Sequence, residues 1–100
     1  MKKLVKISEL RLGMANISLK AKVADVSEPR DVRTKFGYTT RVATATLEDD
    51  TGKIALTLWG KQTDEIGEGD TVEIKDGYVR EFRGELQLNV PRRGEIKKVE

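Results

Sequence analysis

Apolar residues recur at every second position in several short runs of this chain, and that period constrains the fold more than any other feature. Ile17, Leu19, Ala21 and Val23 stand on one side of a run whose other side carries Ser18, Lys20 and Lys22. Strict alternation sends successive side chains to opposite faces, so the spacing predicts a half-buried strand over Asn16–Val26. Arg41–Leu47, with β-branched and small residues throughout, predicts a second. In the third, Ile54, Leu56 and Leu58 face one way and Ala55, Thr57 and Trp59 the other. Val72 and Ile74 mark a fourth, which Gly77 kinks or bulges. Leu86, Leu88 and Val90 alternate with Glu85, Gln87 and Asn89 in a fifth.

The punctuation between these runs fits a closed antiparallel sheet. Ile7–Met14 reads as a short helical turn or strap closed by Gly13. Ser27–Thr40 holds Pro29 and Gly37 and reads as a long loop or an exposed hairpin arm. Glu48–Gly52 and Arg83-Gly84 are tight turns, since Asp and Gly supply the capped or positive-φ bends such turns need. Gln62–Ile66 forms one helical turn, stopped by Gly67-Glu68-Gly69-Asp70. Pro91 ends the fifth strand, and Ile96–Val99 returns as a short edge segment. This order predicts an all-β, five-stranded Greek-key barrel of the OB type, with a short helical segment between strands three and four. A small SH3-like barrel is the competitor, and the helical insert and long strands weigh against it. At 100 residues, the chain is read as one domain, 1–100.

Composition excludes several kinds of chemistry. The chain has no histidine and no cysteine, so it lacks the usual proton shuttle, the Ser-His triad, a thiolate zinc site and any disulfide. Carboxylate pairs such as Glu48/Asp50 and Asp64/Glu68 fall in turns, where solvated acids are the norm, and no glycine-rich phosphate loop is present. The expectation is a binding domain without catalysis, metal or cofactor. Met1–Lys6 opens basic with no apolar run behind it, which fits neither a signal peptide nor a membrane span, and an intracellular, cytoplasmic and nucleoid-associated location is expected.

Net charge is only +2, but its distribution is uneven. Residues 1–22 hold six Lys/Arg against one acid and residues 78–98 six against three, whereas 61–76 hold six acids against two bases. Such segments, if they share a face, create a local positive field that the total conceals. Charge alone favours an ordinary solvated, salt-bridged surface.

The five aromatic residues are more telling. The core faces are filled by aliphatic residues, so none of the rings is needed there. Phe36 and Tyr38 lie between strands one and two, Trp59 ends strand three, Tyr78 sits late in strand four, and Phe82 adjoins the next turn. In OB barrels, the face of strands two and three, flanked by these connections, binds oligonucleotides and oligosaccharides. A ring held flat can stack on any base, and bases in a duplex are already stacked, so such a platform selects single strands. Arg30, Arg33, Lys35, Arg41, Lys61, Arg80 and Arg83 are candidates to follow the phosphates. Taken singly, Trp59, Tyr78 and Phe82 read equally well as packing, Phe36 and Tyr38 are weaker candidates because long loops vary, and sugar rings also lie on aromatic faces. The interleaved bases favour nucleic acid.

The run Asp50-Thr51-Gly52-Lys53-Ile54-Ala55-Leu56-Thr57-Leu58-Trp59-Gly60-Lys61 resembles the signature of archaeal single-stranded DNA-binding proteins and replication protein A-like OB domains. Ile66–Val72 and Gly77–Leu88 continue the likeness, which is weakest over residues 27–40. It implies single-stranded DNA binding by stacking, carried onto Trp59, Tyr78 and Phe82, in replication or repair. Some members have a further aromatic late in strand five, where this chain has Asn89. Standalone members also tend to carry a flexible tail, whereas this chain stops at Glu100. A whole protein and one OB domain of a longer, multi-OB chain both stay open. RNA binding and docking of protein partners, including other OB domains, stay open as alternatives.

Overall fold

A computed structural model describes residues 4–91 and 94–99. The basic opening Met1–Lys3 and the Arg92–Arg93 pair of the last basic segment lie outside the described residues. The strands are β1 (Ile17–Val26), β2 (Arg30–Arg33), β3 (Thr39–Asp49), β4 (Gly52–Trp59), β5 (Thr71–Phe82), β6 (Glu85–Asn89) and β7 (Glu95–Val99), with a short helix α1 (Gln62–Glu65) between β4 and β5.

The alternating residues decide how these strands close on one another. β1 pairs with β3, β3 with β4, β4 with β6 in parallel, β6 with β5, and β5 back onto β1. That ring leaves no open edge among its five members and sends one face of every strand inward. Leu19, Val23, Ala45, Leu47, Leu56, Leu58, Val72, Ile74 and Leu88 are all fully shielded inside. The two strands outside the ring come from the stretch read as a loop or arm, which is the hairpin arm β2–β3, and from the expected edge segment, which is β7 along β5. β3 starts two residues before the predicted Arg41 because Thr39 and Thr40 pair with Arg33 and Val32.

The predicted irregularity in the fourth strand is a bulge that reverses its facing. Ile17 and Leu19 of β1 lie opposite Gly77 and Ile74 of β5, so two steps on one strand match three on the other. The extra residue sits at Asp76, whose φ is +59°. Val72 and Ile74 point inward before it, and Gly77 and Val79 after it. Tyr78, Arg80 and Phe82 are thereby turned away from the core. Gly77 is held where a side chain would not fit. A Cβ there would meet Ile74 Cγ2 at 3.1 Å and Leu88 Cδ1 at 3.2 Å. Both are core atoms with little room to retreat, so Gly77→Ala is expected to cost about 1–2 kcal/mol by overpacking. Denaturant unfolding of the variant beside the parent measures this.

The strap closes the ring's lower end. Ile7–Glu9 makes one 3₁₀ turn, and Ile7 and Leu10 are buried under it. Asp49, at the end of β3, anchors the strap. Its carboxylate accepts hydrogen bonds from the backbone N–H of Ile7 at 2.9 Å, from the Thr51 N–H at 2.7 Å and hydroxyl at 2.6 Å, and from the Gly52 N–H at 3.2 Å. Partial burial pushes this carboxyl up, but the Thr51 hydroxyl and the three N–H donors together hold it below its usual 3.8. Lys6 adds an exposed ion pair to Asp50 at 3.0 Å.

Candidate nucleic-acid interface

The outward faces of β3, β4, β6 and the second half of β5 form the floor of a cleft of about 870 Å³. The β2–β3 arm makes one wall, and the β5–β6 hairpin the other. Four of the six exposed large apolar side chains among the described residues border this cleft: Phe36, Tyr38, Trp59 and Phe82. Contiguous exposed apolar surface of this kind marks a binding region on a domain that otherwise buries such groups.

Each ring is set by its local backbone. Trp59 lies opposite Val42 and stays 45 % exposed. Its backbone N–H donates to Gln62 Oε1 at 3.0 Å, and Gly60, at φ +59°, turns the chain away into α1. Phe36 sits at the tip of the arm. The Gly37 N–H donates to the Thr34 carbonyl, the Thr34 N–H to the Tyr38 carbonyl, and Gly37 adopts φ +89°. This is a type I turn closed by a glycine bulge. Phe82 precedes a two-residue turn in which Arg83 and Gly84 both have positive φ, 53° and 82°. Asn or Gly is the favoured first residue of such a turn. Arginine there places its guanidinium 5.2 Å from the Phe82 ring centroid, and Lys35 lies 5.6 Å from that of Phe36.

The cations expected at the site divide. Arg30, Arg33, Lys35 and Arg80 border the cleft, and none of them is ion-paired among the described residues. Arg83 reaches its edge through Phe82. Arg41 does not join them. It shares its phase along β3 with the inward residues Ala43 and Ala45, emerges at the ring's end, and pairs with Asp64 of α1. Lys61 lies in the exposed turn entering α1, away from the cleft. Tyr78 alternates with Arg80 and Phe82 on the outer side of β5, but it borders a neighbouring depression beside Met14 and Pro91 instead of the main cleft.

Polar floor residues were not singled out from the sequence as contacts. Thr44, Thr57, Gln87 and Asn89 all border the cleft. The same period-two reading that placed the core had assigned Thr57, Gln87 and Asn89 to the outer side, which was the available signal.

A closed ring of strands with a short helix between its third and fourth members, and an aromatic, basic cleft across one face, defines an OB-fold binding domain. The chain belongs to the family described as single-stranded DNA binding protein Ssb-like, OB fold, which matches residues 10–98. Over 84 residues it is 37% identical to the single-stranded DNA binding protein Ssb of Saccharolobus solfataricus, covering 84% of this chain and 56% of that protein. It is 35% identical over 91 residues to replication factor A of Methanothermobacter thermautotrophicus, covering 85% of this chain and 11% of that one. The chain thus spans only about half or less of these relatives. The second OB-fold domain of replication protein A from Methanococcus maripaludis superposes with a TM-score of 0.80 at 30% identity, covering 98% of this chain and 96% of that domain.

Proposed function

We propose that this chain is a single OB domain that binds single-stranded DNA, with little sequence preference from stacking, as a binding module without catalysis. The observation that carries the reading is the convergence of Trp59, Phe82, Phe36 and Tyr38 on one cleft with four cations that make no ion pair among the described residues. Rings in this setting stack on bases, and free cations replace the counterions of a phosphate backbone. Tyr78, one step along β5, extends the platform beyond the cleft. Family membership and the names of the relatives favour DNA over RNA and over a protein ligand. Other OB domains of a replication protein A-like assembly are the partners this reading suggests, and a nucleoid location in the cytoplasm follows from a DNA ligand. No helix among the described residues is long and apolar enough to cross a membrane.

The protein's one tryptophan reports directly on the site. Titration with unlabelled oligothymidine is expected to quench its fluorescence, with affinity falling as salt rises and no comparable response to duplex DNA. Equal affinity for duplex and single strand would overturn the stacking mechanism. An absence of both quenching and a mobility shift removes the DNA ligand, and leaves a protein-docking OB domain as the better reading.

A further inference from the structure

Between the rings, the cleft floor carries a row of hydrogen-bonding side chains. Thr44 of β3 lies opposite Thr57 of β4. The parallel register Ala55–Gln87 and Leu56–Leu88 brings Asn89 of β6 alongside Thr57. Asn89 in turn lies opposite Tyr78 on β5. Asn89 is only 8 % exposed, yet its carboxamide has no hydrogen-bond partner among the described residues. No buried side-chain nitrogen or oxygen among those residues is left unpartnered either. The polar atoms of Asn89 must therefore open onto the cleft that this residue borders.

A strand does not choose such a residue for its own stability. Asn is depleted in strands, and the Thr or Val that would pack there suits a pleated sheet better. The amide presents one donor and one acceptor side by side, which is the arrangement a base offers along its pairing edge. We propose that Asn89, with Thr57 beside it, reads the hydrogen-bonding edge of one base. The cleft then stacks any base at its ring positions but requires a pairing edge at this one. This rests on the single-stranded DNA reading above.

The experiment replaces single thymines by 2,4-difluorotoluene, a ring of the same shape that stacks but hydrogen-bonds poorly. Each position is scanned through the shortest oligothymidine that keeps full affinity, so that the protein cannot shift register to avoid the change. Parent protein should lose about five- to a hundredfold at one position and change little elsewhere. Asn89→Leu, checked for an unaltered melting temperature, should bind unmodified oligothymidine more weakly and no longer distinguish the substituted strand at that position. A scan flat within about twofold at every position, with unmodified oligothymidine bound normally, overturns the edge-reading role and leaves the stacking function standing. Failure to bind unmodified oligothymidine at all overturns the functional reading and this role with it.

Discussion

Trp59→Ala is expected to raise the dissociation constant for oligothymidine about ten- to a hundredfold, equivalent to about 1–3 kcal/mol for one stacked base. The melting temperature should move by no more than a few degrees. The two expectations follow from the same geometry. Trp59 is 45 % exposed on the outer face of β4, while the inner face of that strand is filled by Ile54, Leu56 and Leu58. Its loss uncovers part of Val42 opposite but opens no cavity in the ring. Because the substitution removes the only tryptophan, affinity is read by anisotropy of a labelled oligonucleotide. A collapse of the fold would show that Trp59 works as packing. An unchanged affinity would move the stacking platform elsewhere, toward Phe82 and the arm.

Asp49→Ala should have the largest effect on stability, lowering it at neutral pH by about 2 kcal/mol through lost hydrogen bonds to a charged acceptor. For a chain of 100 residues, that is a drop in melting temperature of roughly 10 °C. The sign of the pH dependence follows from the carboxyl being held below 3.8 in the folded protein. The ionised form is favoured by folding, so its contribution is fully present above about pH 4. It is lost as pH falls through the depressed folded value. Denaturation midpoints of parent and variant should differ at pH 7 and converge as pH drops below 3.8. Curves that stay parallel down to pH 2 would show that the strap is not held by this charge. Lys6→Ala serves as a comparison, since its ion pair to Asp50 is solvent-exposed and surface pairs contribute little.

How far the sequence foretold these features depended on whether period two was unambiguous. Ile17–Val23 and Ile54–Leu58 each have one apolar and one mixed face, and the structure follows them except at Ser18, which is buried where Val5 bonds to its carbonyl. The rings were legible because the core had no use for them. Arg41 was not, because Val42 and Ala43 are both apolar and hide which parity faces inward. Only the ion pair to Asp64, distant in sequence, shows where that arginine goes. The hairpin arm was ambiguous because its turn is carried by Gly37 alone, with few residues on either side to show alternation. Lys61 adjoins Trp59 in sequence, but the turn at Gly60 separates their directions.

The bulge at Asp76 has a consequence for how this segment tolerates changes of length. Because of that one residue, the even-numbered positions of β5 serve the core before it and the outer surface after it. Deleting Asp76 itself would restore plain alternation with Val72, Ile74, Gly77 and Val79 still inward and Tyr78, Arg80 and Phe82 still outward. Inserting one residue directly after Gly77, with the bulge in place, would instead swing Tyr78, Arg80 and Phe82 inward and Val79 out. Place therefore decides the threat: loss of the bulge residue leaves each side chain on its own side, whereas one residue added in the regular ladder exchanges the interior for the exterior along the rest of the strand.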